Sequence, residues 1–80
     1  MKSYSYRVII EPDGDSFHAY VPALVGCHTF GASLAETKAN IREAISVYIA
    51  SLVDDQESVP EDVGFESIET VSIGPALNYA

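Results

Sequence analysis

The stretch from Ser33 to Val53 limits the fold of this chain more than any other. Ser33 and Glu36 form an S-x-x-E capping box, in which a serine oxygen and a glutamate carboxylate satisfy free backbone N–H groups at a helix start. Leu34, Ile41, Ala44, Ile45, Tyr48, Ile49 and Leu52 then recur at spacings of three and four, which predicts a helix over 34–53 with one apolar face; Lys38, Arg42, Glu43 and Ser46 lie on the other. In an 80-residue chain such a helix has nothing but a sheet to cover, because the remaining apolar segments are too short and too regularly alternating to be helices.

Those segments predict the sheet. Residues 4–11, "YSYRVIIE", place Tyr4, Tyr6, Val8 and Ile10 on one face, and Ser5, Arg7, Ile9 and Glu11 on the other. "PDGD" supplies a tight turn and "SFHAYV" returns with Phe17, Ala19 and Val21 on one side, so the two runs form a β-hairpin. Pro22 cannot donate to a ladder and ends the second strand. "PALVG" is a connection, and "CHTF" at 27–30 is a short third strand closed by Gly31. After the helix, "DDQESVPEDVGFES" is a polar connection broken by Pro60 and Gly64. "SIETVSI" at 67–73 alternates as a last strand, and "GPALNYA" is an edge or an arm. The order β-β-β-α-β makes an α+β fold with the helix on one sheet face, and the right-handed crossover places the last strand parallel to the first and beside it. The whole of 1–80 is expected to be one domain with a thin core. An uncovered edge and a core of this size favour a homo-oligomer, most simply a dimer.

Charge excludes one class of partner. Twelve Asp and Glu stand against four Lys and Arg, a formal net charge of −8. All four basic residues lie in the first 42 positions, while Asp54, Asp55, Glu57, Glu61, Asp62, Glu66 and Glu69 crowd the last third. Phosphate binding requires clustered cations, so direct nucleic-acid binding is not expected, and a basic protein is the fitting partner. No apolar run approaches the roughly 20 residues of a membrane helix, and "MKSYSYR" lacks a signal-peptide core, so the expected compartment is the cytoplasm.

Three groups of residues are of types that carry chemistry in other proteins. Cys27 adjoins His28 in "VGCHTFG", but neighbours on a strand point to opposite faces and cannot form a thiolate–imidazole pair; Cys27 reads as a buried apolar group. With one cysteine, a zinc site through Cys27, His18 or His28 lacks ligands. Glu11, Asp13 and Asp15 read as hairpin solubilisers, Glu36 as part of the cap and Glu43 as part of a solvated face, so no nuclease carboxylate cluster is assigned. Tyr4, Tyr6, Tyr20, Tyr48 and Tyr79 have no cluster of basic residues among them to support stacking on bases; they read as core or oligomer-interface residues.

Two segments resemble the HicB-like antitoxins and their solitary relatives: "YRVIIEPDGDSFHAYVPALVGC" and "GASLAETKANIREAISVYIASLVDDQESVPED". P-x-L-x-G-C, a glycine before the capping box, N-I-x-E-A-I and a closing "VP" follow one another in the family's order between Tyr6 and Asp62. The resemblance implies a partial RNase H-like fold without the nuclease's metal-binding carboxylates, and a non-enzymatic role in binding and masking HicA, a small basic RNA-cleaving toxin. It implies no cofactor. The acidic connection, through Asp54, Asp55, Glu57, Glu61 and Asp62, is the expected partner-steering element. Full-length HicB antitoxins usually continue into a DNA-binding segment, and none is expected here. The alternative reading is a solitary homo-oligomeric RNase H-like protein with metal-dependent or ligand-binding activity.

Overall fold

The computed structural model describes residues 2–75. Three strands and one helix follow in the order β1 (Ile9–Asp13), β2 (Ser16–Tyr20), β3 (His28–Gly31) and α1 (Leu34–Asp54). The strands form one antiparallel sheet in the order β1-β2-β3. The fold is α+β, with α1 lying over β3 and β2. No helix among the described residues is long and apolar enough to cross a membrane.

The β1–β2 turn consists of Gly14 and Asp15, closed by the Asp13–Ser16 pair. Gly14 has φ 63° and Asp15 needs no positive φ, so this is the Gly-first arrangement that suits the strand twist. The β2–β3 connection is a double turn. Leu24 N–H donates to Val21 O at 3.1 Å, Cys27 N–H to Leu24 O at 3.0 Å, and Val21 N–H to Cys27 O at 3.1 Å closes the loop. Gly26 takes φ 81° at the third position of the second turn, where a side chain would be strained. This folding drives Leu24 inward until it is 1 % exposed.

Ser33 caps α1 as expected, its Oγ accepting from the Glu36 N–H at 3.1 Å. The Glu36 carboxylate reaches back one residue further than a regular capping box, to the Ala32 N–H at 3.3 Å. At the far end the Gln56 N–H donates to Val53 O and the Glu57 N–H to Leu52 O, while Gln56 itself sits at φ 57°. These are the two bonds of a Schellman motif, built here on a glutamine where glycine is usual.

Ala19, Val21, Leu24, Cys27 and Ile41 form the core, with Tyr6, Val8, Ile10, Ala44, Ile45 and Tyr48 half-buried around it. Two details differ from the sequence expectation. Leu34 is 54 % exposed, and the fully buried residue at the start of α1 is Thr37. The cause is Gly31, against which the backbone of Thr37 is pressed. Thr37 satisfies its hydroxyl within the helix by donating to Ser33 O at 2.7 Å.

The expected last strand is not formed among the described residues. Residues 67–73 pair with nothing, and β1 and β3 are both edges. β1 likewise starts at Ile9, five residues later than its alternation suggests. Alternation records which faces a strand would offer; hydrogen bonding requires a neighbour, and β2 ends opposite Ile9. Residues 76–80, including Tyr79 and most of the "GPALNYA" tail, lie outside the described residues.

Candidate functional site

The register of the sheet assembles a patch on the face away from α1. His18 stands opposite Phe30, Tyr20 opposite His28, and Ile9 opposite Tyr20. Side chains two apart share a face, so four rings form a square there. The His18 ring lies 4.8 Å from Phe30, 5.4 Å from His28 and 5.9 Å from Tyr20, centre to centre. Phe30 is half exposed, and Val25 at the tip of the neighbouring loop is almost wholly so. His18, Tyr20 and His28 join Pro22, Val25 and Gly26 around an open apolar depression of about 440 Å³. Exposed aromatic rings backed by a rigid sheet are the usual material of protein-binding hot spots.

Acidic charge lies at the same end of the molecule. β3 leads into α1 at the end where Gly31 faces Phe17, so the helix runs back toward the end where Ile9, Tyr20 and His28 lie abreast. Tyr48 marks its arrival there, donating from its hydroxyl to Val25 O at 2.9 Å. Beyond Tyr48 the helix ends in Asp54 and is capped by Asp55, with no basic residue in its last turn. Glu57 and Glu61 follow, all four exposed. Asp54 and Asp55 face the negative end of the macrodipole, each an unfavourable placement of about 0.3–1 kcal/mol at low ionic strength.

Asp62 stands apart from these four. Its side chain is 5 % exposed and forms an ion pair with Arg7 Nε at 3.0 Å. The Arg7 guanidinium, then the Arg7 and Gly64 backbone N–H groups that also donate to it, hold its carboxyl down to about 2. Tyr6 donates its hydroxyl to Pro60 O at 2.6 Å, and Arg7 Nη1 donates to Phe65 O at 3.3 Å. The connection is therefore fastened to the segment preceding β1. Burial, followed by the charges of Tyr4, Glu61 and Asp62, raises the Tyr6 phenol. In the sequence Asp62 belongs with the other acids, because Arg7 lies 55 residues away in the chain; only the fold brings them together.

The remaining candidates are dispersed. Cys27 is buried and free, and burial raises its thiol pKa, which opposes nucleophilic character. His28 is exposed on the opposite face of the strand. Glu11, Asp13 and Asp15 sit exposed at the first hairpin, Glu36 at the helix cap and Glu43 on the outer face of α1. Among the described residues no group of three or more His, Cys, Asp or Glu converges to hold a metal ion. The aromatic square was missed in the sequence because it depends on register; the signal present was the i, i+2 spacing of His18 with Tyr20 and of His28 with Phe30.

A family model described as the HicB_like antitoxin of bacterial toxin-antitoxin system matches residues 6–77. The chain belongs to the HicB-like antitoxin family. It is 42 % identical over 60 residues to a UPF0150 protein of Synechocystis sp., covering 74 % of this chain and 76 % of that one. A UPF0150 protein of Thermoplasma acidophilum is 47 % identical over 58 residues, 71 % and 84 % of the two chains. One from Archaeoglobus fulgidus is 32 % identical over 69 residues, 85 % and 93 %. The family match extends through residues 67–73, the segment that has no strand partner here.

Proposed function

We propose that this HicB-like chain is a non-enzymatic antitoxin that binds a small basic RNA-cleaving protein of the HicA type and covers its active surface. One observation carries the reading beyond family membership: Asp54 and Asp55 stand at the wrong end of a helix dipole and Glu57 and Glu61 continue an exposed acidic run, at the same end of the sheet as the aromatic patch. Local choices that cost stability are characteristic of functional sites. A basic partner gives these charges a purpose. The acids steer its approach, and His18, Tyr20, His28, Phe30 and Val25 supply the contact area that holds it. Asp62, already neutralised by Arg7, contributes least to steering and instead fixes the connection in place.

The test is association kinetics at two ionic strengths with a purified HicA-type toxin, a small basic RNA-cleaving protein. Replacing Asp54, Asp55, Glu57 and Glu61 with Asn or Gln should reduce the on-rate and flatten its salt dependence while changing the off-rate less. Tyr20→Ala or Phe30→Ala should act mainly on the off-rate. An on-rate indifferent to both salt and the four substitutions removes the acidic run from the mechanism.

A further inference from the structure

The chain has two histidines, and strand register puts both on one face of two paired strands. His18 stands opposite Phe30 and Tyr20 opposite His28, so the histidines lie on a diagonal across the β2–β3 ladder with their ring centres 5.4 Å apart. The ladder holds their backbones. His28 opens β3 directly after the turn that the Val21 N–H closes on Cys27 O at 3.1 Å, and His18 lies in the central strand, paired on both sides. No side-chain hydrogen bond among the described residues engages either ring, which leaves the imidazole nitrogens open to a ligand from outside. His18 is half-buried and His28 exposed, so an ion can reach both.

The spacing fits a metal ion. Zinc takes histidine nitrogen at about 2.0–2.1 Å, so two imidazoles held at the tetrahedral angle have their centres about 5.2 Å apart, whereas a square-planar ion with the rings adjacent would draw them to about 4.5 Å. The observed 5.4 Å lies at the tetrahedral value, and closing the chelate takes rotation of two side chains without displacing a strand. Ligand chemistry narrows the choice further: imidazole suits zinc and other transition metals, while Mg²⁺ and Ca²⁺ require oxygen ligands. The field of the chain favours any cation, since the net charge is −8 and Glu11 stands exposed opposite His18 on β1. The further ligands that the sequence lacks are absent from the fold too, because no third His, Cys, Asp or Glu converges on the pair among the described residues. Two protein ligands leave two positions for water, which makes an exchangeable site rather than a closed structural one.

We propose that His18 and His28 bind one Zn²⁺ ion on the sheet face away from α1, with water at its remaining positions. Tyr20 and Phe30 flank the ion, 5.9 Å and 4.8 Å from the His18 ring, so the site lies within the aromatic patch. Zinc binding by the pair needs no toxin and is measured on the chain alone.

Titration of the full chain with Zn²⁺ tests this, followed by calorimetry and by the ring resonances of the two histidines, at about pH 7.5, where imidazole is free to ligate, and with excess Mg²⁺ present. Zn²⁺ should bind at one equivalent and shift both rings together. His18→Phe and His28→Gln should each weaken binding at least about tenfold with the circular dichroism unchanged. His18→Phe keeps a ring in the stack and removes only its nitrogens, and His28→Cys, which supplies another zinc donor, should recover the binding that His28→Gln loses. A chain that takes up no Zn²⁺ at a large molar excess overturns the proposal, as does either histidine variant binding as tightly as the parent. Capture by the acidic run overturns it as well: binding would then survive both histidine substitutions and vanish when Asp54, Asp55, Glu57 and Glu61 are replaced with Asn or Gln.

Discussion

Gly31→Ala is the substitution whose consequence the geometry fixes most tightly. A Cβ at Gly31 would lie 2.6 Å from the backbone nitrogen of Thr37 and 2.8 Å from its Cα, and closer still to its Oγ1. A threonine hydroxyl can rotate away; the helix backbone cannot. Restoring ordinary contact at about 3.5 Å requires the start of α1 to retreat from β3 by nearly 1 Å. Thr37 and Ile41, both almost fully buried, are the residues through which α1 seals the core, and the retreat loosens both. Overpacking of this kind costs about 1–3 kcal/mol, and the involvement of backbone puts Gly31→Ala toward the upper end. At roughly 4–8 °C per kcal/mol for a domain of this size, a loss of 2 kcal/mol lowers Tm by about 8–16 °C. Thermal melts at fixed protein concentration measure it, with Gly74→Ala as the control, since the added methyl there meets nothing within 4 Å. A Gly31→Ala protein melting within about 2 °C of the parent would refute the claimed closeness of strand and helix.

Four further outcomes follow from the same structure. Ser33→Ala removes the acceptor for the Glu36 N–H and should destabilise the fold by about 0.5–2 kcal/mol in a denaturant titration, whereas Gln56→Gly should stabilise it by several tenths to about 1 kcal/mol by relieving a side chain at φ 57°. Cys27 should react slowly with a thiol reagent in the native protein and at full rate once unfolded; fast native labelling would contradict its burial. Asp62 has its folded pKa held at about 2, below the ordinary carboxylate value near 4, so its contribution is complete above about pH 4 and is lost as the pH falls through 2. The Gly64 amide resonance should report that release with a midpoint near 2, and a midpoint near 4 would show that Arg7 does not hold the carboxylate.

Much of this fold is written locally. The Gly14 turn, the Pro22 strand end, the Ser33 cap and the apolar stripe of α1 each depend on residues a few positions apart, and each stands where the sequence places it. What the sequence did not show depends on distant partners. Residues 67–73 have the alternation of a strand without a neighbouring edge among the described residues; Leu34 follows the helical period but yields its place to Thr37 because Gly31 draws the backbone close. The candidate site divides in the same way. Asp54, Asp55, Glu57 and Glu61 were legible as a charge run, while the Arg7–Asp62 pair and the square of His18, Tyr20, His28 and Phe30 exist only through long-range pairing and strand register.

Silencing of a basic RNA-cleaving partner has a direct readout. RNA cleavage by a purified HicA-type toxin is titrated with this chain at physiological ionic strength. Cleavage should fall linearly to zero as the chain reaches stoichiometric amounts, and the Asp54, Asp55, Glu57 and Glu61 quadruple variant should reach the same endpoint more slowly after mixing. Cleavage that persists in the presence of a large molar excess of the folded chain would contradict it.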